Sequence, residues 1–194
     1  MKKQLLALVS LVCLVISVKC EGACDGKDRW AIKTLQDAGA ASITSTPQNV
    51  SIEDLIAVKQ AYDETAPRHG VELQVYRVTG KIEGYKTEAD GDLYIIIRDP
   101  KSGKTMVAEI PDPNCPNVAT SPSVGKFRSA REQFGAFTTE TKSALNPNLF
   151  KAKPGTYSIT GVGFIDRNEG AEGQIGHADN RVEIHPVLSV ERAP

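Results

Sequence analysis

The chain has 194 residues, about the length of one domain, and its 23 basic residues nearly balance 24 acidic ones, for a formal charge of −1. This balance excludes a strongly basic nucleic-acid-binding domain. After the first twenty residues no run is long and apolar enough to predict a membrane-spanning helix.

The first twenty residues have the pattern of a secretory signal. Two lysines follow the first methionine, and the apolar run 5–18 is too short to span a bilayer. Cleavage is expected after Cys20, and Lys19 in the preceding position disfavours a lipoprotein signal. The sequence therefore predicts a signal peptide at 1–20, a bacterial source, and a secreted or periplasmic protein.

Removal of the signal would leave Cys24 and Cys115 as the two cysteines of the mature chain. In an oxidising compartment they are expected to form one disulfide. Closing a loop of this length would stabilise the fold by roughly 4 kcal/mol in the chain-entropy model. Neither cysteine has neighbours at zinc-ligand spacing, so no metal site is predicted there.

Residues 21–70 are predicted to form an N-terminal strap and a helix that pack on the main domain. Trp30, the one tryptophan of the chain, belongs to the strap. Ser51 is placed to cap the helix, and the two acidic residues that follow it suit the positive end of the helix dipole. Pro67 and Gly70 are expected to end the helix.

From Val71 the hydrophobic period changes to two, which predicts a long first strand. Its parity switches after Val75, and Gly80 and Gly84 allow a bulge or sharp bend there. A short helix at 126–137 is predicted from apolar residues at helical spacing. Four further strands are predicted, two before this helix and two after it, at 93–99, 105–111, 156–166 and 181–191. This order is that of a mostly β, five-stranded OB-like Greek-key barrel, assigned to residues 71–194.

Four sequence motifs occur between Trp30 and the C-terminus, namely "RWAIKT", "MVAEIPDPNC", "GVGFID" and "NRVEIHPV". In these motifs the chain resembles, over most of its length, a family of secreted bacterial proteins with an OB-like barrel and no assigned activity. A histidine of the family pattern is Glu172 here, and a glycine of that pattern is Arg181. The matched residues near the C-terminus are Gly161, Val162, Gly163, Phe164, Asp166, Gly173, Gln174, Asn180, Glu183, His185, Pro186 and Val187.

The last strand and the loop before it contain the first candidate site. Glu183 and His185 share one face of the strand, opposite an expected core face of Val182, Ile184, Leu188 and Val190. Such a pair can orient an imidazole or share a metal, and loop residues could reach the same side. The structural alternative is that His185 anchors a compact loop at 173–180 by hydrogen bonds to its backbone. The candidate binding residues are His177, Asp179, Asn180, Glu183 and His185.

A second candidate site lies around two acidic motifs. Asp90-Gly91-Asp92 precedes the second strand, and an acidic motif with proline follows the third. In these motifs the chain loosely resembles the thermonuclease family, which is also an OB barrel. The resemblance implies that carboxylates hold calcium and that arginines clamp a phosphate. The corresponding residues are Asp92, Glu109 and Asp112, with Arg128, Arg131 or Arg167 as clamps.

The sequence contains no complete catalytic triad, phosphate-binding loop or strong metal-ligand spacing. We therefore expect an exported, monomeric binding or structural module without a cofactor, with a glycan, cell-wall fragment or oligonucleotide as ligand. The alternative is a metal-dependent phosphodiesterase or nuclease of the thermonuclease type, with calcium as its cofactor.

Overall fold

The computed structural model describes Cys24 and residues 28–167 and 175–194. The predicted signal peptide lies outside these residues. None of the helices in the described part is long and apolar enough to cross a membrane. The helices are α1 (Trp30–Lys33), α2 (Ile52–Ile56), α3 (Pro116–Ala119) and α4 (Val124–Gly135). The strands are β1 (Thr44–Asn49), β2 (Gln74–Thr87), β3 (Leu93–Arg98), β4 (Thr105–Ile110), β5 (Thr138–Lys142), β6 (Phe150–Ala152), β7 (Tyr157–Ile165) and β8 (Val182–Arg192).

Five strands close into a barrel at the centre of the molecule. Their order is β3-β4-β8-β7-β2, and β2 pairs back with β3. The pairing of β4 with β8 is parallel, and the other four pairings are antiparallel. Helix α4 lies between β4 and β7 in the chain and buries Phe127, Ala130 and Phe134. The predicted five-stranded OB-like barrel, with a short helix between its third and fourth strands, is confirmed.

The long first strand of the barrel bends as its sequence predicts. β2 has 14 residues, and its register against β3 shifts between Ile82 and Gly84. At Gly80 a Cβ would lie 2.4 Å from the carbonyl oxygen of Arg98. Glycine is therefore required there by the close approach of two backbones, which lets one strand contribute to both sides of the barrel.

The last strand is irregular where it passes β7. Gly161 pairs with Val187 and Gly163 pairs with Ile184, so His185 and Pro186 face a single residue of β7. This is a bulge, as expected for a proline that cannot donate a ladder hydrogen bond.

Bulges also change which residues of β8 point into the barrel. A second register shift lies between Thr160 and Gly161 of β7. As a result Val187 enters the barrel core, whereas Leu188 packs with a different cluster beside Val75 and Val162. The expectation that Leu188 belongs to the core face with Ile184 is therefore wrong.

The N-terminal strap is fastened to the barrel at two places. Cys24 and Cys115 form a disulfide with their Cα atoms 5.4 Å apart, which confirms the predicted pairing. Arg29 makes two hydrogen bonds to the fully buried carboxylate of Glu72, which precedes β2. Trp30 packs partly buried in the cluster around the disulfide. These contacts hold α1 over the outer surface of β7.

The N-terminal helix begins where predicted and ends much earlier. Ser51 and Asp54 form a capping box, but α2 stops at Ile56. The side-chain amide of Asn180 donates to the carbonyls of Leu55 and Val58, so a tertiary contact satisfies groups at the helix end. The sequence analysis also missed three strands outside the barrel, which are β1, β5 and β6.

Candidate functional site

Four ionisable side chains meet on the outer face of the barrel wall. Asp92 immediately precedes β3, Glu109 lies in β4, and Glu183 and His185 lie in β8. Their neighbours Ile95, Ala108 and Ile184 belong to the barrel core, so alternation along the strands turns the ionisable residues to the other side. We call these four residues the carboxylate–histidine centre.

The imidazole of His185 lies among three carboxylates. Its Nδ1 atom is 3.2 Å from Oε1 of Glu183 and 3.2 Å from Oε2 of Glu109, and the contact with Glu183 is a hydrogen bond. Its Nε2 atom faces Oδ2 of Asp92 at 3.3 Å without hydrogen-bond alignment. Donor atoms of Asp92, Glu109 and His185 lie within 4.8 Å of one another, close enough to share one ion.

The centre is buried. His185 and Asp92 have no exposed surface, and Glu183 and Glu109 are 1% and 7% exposed. Three of its buried atoms lack a hydrogen-bond partner in the described part of the chain, namely Oδ2 of Asp92, Oε2 of Glu183 and Nε2 of His185. Buried polar atoms without partners are uncommon in folded proteins and call for an explanation at each position.

The electrostatics of the centre favour a positive charge within it. Burial alone would lower the pKa of His185, but Asp92, Glu183 and Glu109 raise it by more, to about 10. Burial and the charge of Glu183 raise the pKa of Glu109 well above its usual value. Burial and the charge of Asp166 likewise raise the pKa of Glu183. The carboxylates therefore require a cation, which a protonated His185 supplies in part.

A basic residue of the strap covers this centre. The Nζ atom of Lys33 lies 3.5 Å from Oδ1 of Asp166 and 5.2 Å from the ring centroid of Phe164. Although burial alone would lower the pKa of Lys33, Glu183 and Asp166 raise it. Neither Lys33 nor Asp166 was predicted as a site residue from the sequence, because no local pattern connects α1 with the end of β7.

The two sites that the sequence analysis treated separately are adjacent. Asp92 and Glu109, suggested by the nuclease resemblance, converge on Glu183 and His185, suggested by the last strand. The parallel pairing of β4 with β8 brings them together, since Val107 pairs with Glu183. A long-range strand pairing of this kind is invisible in local sequence.

The remaining nuclease candidates have other partners or lie apart. Arg131 donates to the carbonyls of Gly91, Ile110 and Pro111, so it braces the segments that carry Asp92 and Glu109. Asp112 donates its backbone N–H to Oδ1 of Asp92, while its carboxylate accepts from the backbone of Asn114. Arg128 is exposed on α4. Arg167 pairs with Asp28 and Glu64 at 3.3 Å each.

The loop before β8 was expected to be anchored by His185, but the described part of it is held by other contacts. Gly173 and Gln174 lie outside the described residues. Within 175–180, the carbonyl of Ile175 accepts a hydrogen bond from the Tyr94 hydroxyl at 2.8 Å. In the described part of the chain, His185 contacts the carboxylates of Asp92, Glu109 and Glu183 and makes no hydrogen bond to a loop carbonyl. The prediction that His185 anchors the loop backbone is therefore wrong for these residues.

The three loop candidates occupy different environments. His177 is partly buried beside the ring of Tyr94, and burial together with the charge of Arg181 lowers its pKa to about 4. Asn180 is used to hold α2. Asp179 is exposed. Of the three, His177 alone is placed near the centre, because it lies within ligand distance of Glu183.

No protein-family model matches the chain, and no curated protein matches it. Among solved structures it is similar to an asparaginyl-tRNA synthetase of Entamoeba histolytica, with a TM-score of 0.38 and 11% identity over 78% of this chain. It is similar to a protein assigned as an aspartyl-tRNA synthetase of Leishmania major, with a TM-score of 0.38 and 5% identity over 78% of this chain.

The chain matches 25% of the length of the first of these synthetases and 22% of the second. At such TM-scores the likeness carries no argument about ligand or activity. The description of the fold therefore rests on the strand pairings, and any function must be argued from the centre itself.

Proposed function

We propose that this protein is an exported cation-binding module whose carboxylate–histidine centre holds one divalent metal ion. The ligands are Asp92, Glu109 and His185, and Glu183 orients the imidazole through its hydrogen bond to Nδ1 of His185. Export is supported by the disulfide between Cys24 and Cys115, which is typical of an oxidising compartment.

One observation carries the proposal. Three side chains, from β4, β8 and the residue before β3, present donor atoms within 4.8 Å of one another. Two buried atoms of these residues, Oδ2 of Asp92 and Nε2 of His185, have no hydrogen-bond partner in the described residues. A bound ion would satisfy both atoms at once. It would also replace the proton on His185 as the positive charge that the carboxylates require.

The donor set indicates the class of ion. An imidazole with carboxylates suits zinc or manganese, whereas calcium favours six to eight oxygen ligands. Glu109 and His185 lie on paired strands of a closed barrel, Asp92 immediately precedes β3, and Arg131 braces the segments beside Asp92 and Glu109. Such a rigid site favours a small ion with few ligands over calcium.

The burial of the centre favours binding over catalysis. His185 and Asp92 have no exposed surface, so a substrate has no access to the ion in this conformation. Neither Arg128 nor Arg131 offers its guanidinium to the centre, as phosphodiester cleavage of the thermonuclease type would need. We therefore infer a structural or storage role for the ion.

The test is a metal titration of the mature protein, produced without a histidine tag and treated with a chelator. Zinc and manganese should each bind with one high-affinity equivalent and raise the melting temperature, and calcium should do so only at much higher concentration. Ligand binding at 100 times the Kd stabilises a protein by about 2.7 kcal/mol, which is readily measured.

Asp92→Asn is the decisive variant, because an amide oxygen at the same position can still accept from the backbone of Asp112. It should fold and lose the high-affinity ion. Asp179→Asn is the matched control, because it removes the same charge from an exposed loop residue and should bind as the wild type does. Equal metal response in all three proteins, or none in the wild type, would overturn the proposal.

A further inference from the structure

A second group of potential ligands lies beside the carboxylate–histidine centre. Asp166 follows β7, His177 lies in the loop before β8, and Glu183 is in β8. Donor atoms of these three residues lie within 4.8 Å of one another. Glu183 is thus within reach of both groups, since its Oε1 atom contacts His185.

Two atoms of this second group have no hydrogen-bond partner among the described residues. They are Oε2 of Glu183, whose side chain is 1% exposed, and Nδ1 of His177. The two oxygens of Glu183 therefore differ, since Oε1 bonds to His185 and Oε2 remains available. Glu183 can therefore hold His185 through Oε1 and offer Oε2 to a second cation.

Formal charges predict how strongly a second ion would be held. When all four are ionised, as a bound ion would favour, Asp92, Glu109, Glu183 and Asp166 contribute four negative charges. Lys33 and Arg181 lie 3.5 Å from the two carboxylate oxygens of Asp166 and contribute two positive charges. One divalent ion in the first position then brings the sum to zero. A second divalent ion would leave an excess of positive charge at the site. It would also compete with the ammonium group of Lys33 for Asp166.

We propose that Asp166, His177 and Glu183 form a second, weaker position for a divalent cation, that Glu183 links it to the first position through its hydrogen bond to His185, and that Lys33 opposes its occupation. This inference rests on the proposed function, because it assumes an ion in the first position. When the second position is empty, the ammonium group of Lys33 neutralises part of its negative charge in place of an ion. The second position therefore fills only when the metal concentration is high.

The experiment measures zinc and manganese stoichiometry by equilibrium dialysis at low and high free metal. The wild type should bind one ion at low concentration and two at high concentration. His177→Phe retains a ring beside Tyr94 and should bind one ion at both concentrations. Lys33→Met retains much of the aliphatic chain on Phe164 and should bind the second ion about tenfold more tightly or better.

The outcomes separate the two proposals. One ion in the wild type and in Lys33→Met at all concentrations would overturn the second position and leave the first intact. Two ions in His177→Phe would also overturn it, since the ligand set would be wrong. No ion in any protein would overturn both. Melting curves of the metal-free variants establish that each one folds.

Discussion

Oδ2 of Asp92 lies 3.3 Å from Nε2 of His185, and both atoms are buried without a hydrogen-bond partner in the described part of the chain. Without metal, the interaction between these residues is an ionic contact with poor alignment. Unsatisfied buried groups typically cost about 1–3 kcal/mol each. An ion bound between the two atoms would remove this cost, and the free energy recovered would contribute to the affinity for the ion.

The first prediction concerns His185 in the metal-free protein. His185→Ala removes the cation from three buried carboxylates, and breaking a buried ion pair in this way costs about 3–5 kcal/mol. Glu183→Gln removes one of the carboxylates that repel one another, so its effect should be much smaller or stabilising. Urea unfolding in the presence of a chelator measures both. Wild-type stability of His185→Ala would contradict the electrostatic account of the centre.

The second prediction is a dependence of stability on pH. His185 has a folded-state pKa raised to about 10, against an unfolded value near 6.5. Its stabilisation of the metal-free protein is therefore complete below pH 6.5 and is lost as the pH rises through 10. The raised pKa values of Glu109 and Glu183 act in the same direction, starting from lower pH.

The measurement is the free energy of unfolding of the wild type and of His185→Gln, in chelator, at several pH values from 6 to 10. The advantage of the wild type should shrink over this range. With zinc present the trend should reverse, because the ion binds the neutral imidazole and displaces its proton. A constant difference between the two proteins in chelator would refute the assignment of a charged His185.

The third prediction concerns the disulfide. Cys24 and Cys115 are 91 residues apart in sequence, and opening a loop of that size should cost about 4 kcal/mol in the chain-entropy model. The double variant with serine at both positions should have a free energy of unfolding lower by this amount, and its urea midpoint should fall accordingly. Reduction of the wild type should have the same effect, and the reduced double variant should show no further change. Equal midpoints for oxidised and reduced wild type would contradict the prediction.

The fourth prediction tests the bulge that places His185. A Cβ at Gly161 would lie 2.4 Å from the carbonyl oxygen of Pro186 and 2.5 Å from the Cγ2 atom of Ile184. Gly161→Ala should therefore destabilise the protein by about 1–3 kcal/mol, as overpacked cores do, and weaken metal binding by displacing β8.

Gly125→Ala is the control for that substitution. Gly125 lies in helix α4, and a Cβ there would meet nothing within 4 Å. The change should stabilise the protein by about 0.5–1 kcal/mol, since alanine favours the helix. Thermal unfolding and zinc affinity are measured for both. If Gly161→Ala had the stability and affinity of the wild type, the bulge would not be responsible for the position of His185.

Parts of the fold could be predicted because their causes are local. The glycines at 80 and 84 mark the bend of β2, Pro186 marks the bulge of β8, and Ser51 caps α2. The end of α2 could not be predicted, because Asn180 satisfies its carbonyls from the other end of the chain. The inward position of Val187 depends on a second bulge that no proline marks.

The site was predicted in pieces and not as a whole. The alternation of β8 correctly placed Glu183 and His185 on one face, and a turn motif drew attention to Asp92. Their burial was not predicted, because the covering residue Lys33 comes from the strap. Their convergence depends on the parallel pairing of β4 with β8, which joins strands far apart in sequence. Periodicity reports on one strand at a time and cannot show such a contact.

The parallel contact between β4 and β8 also determines when the centre can form. Asp92 and Glu109 are synthesised well before His185, and β8 is the last strand of the chain. Until β8 docks, the early carboxylates have no imidazole beside them and no complete ligand set. A chain that crosses a membrane unfolded would therefore acquire the proposed ion only after crossing. The metals available on the far side of that membrane would then decide which ion the protein carries.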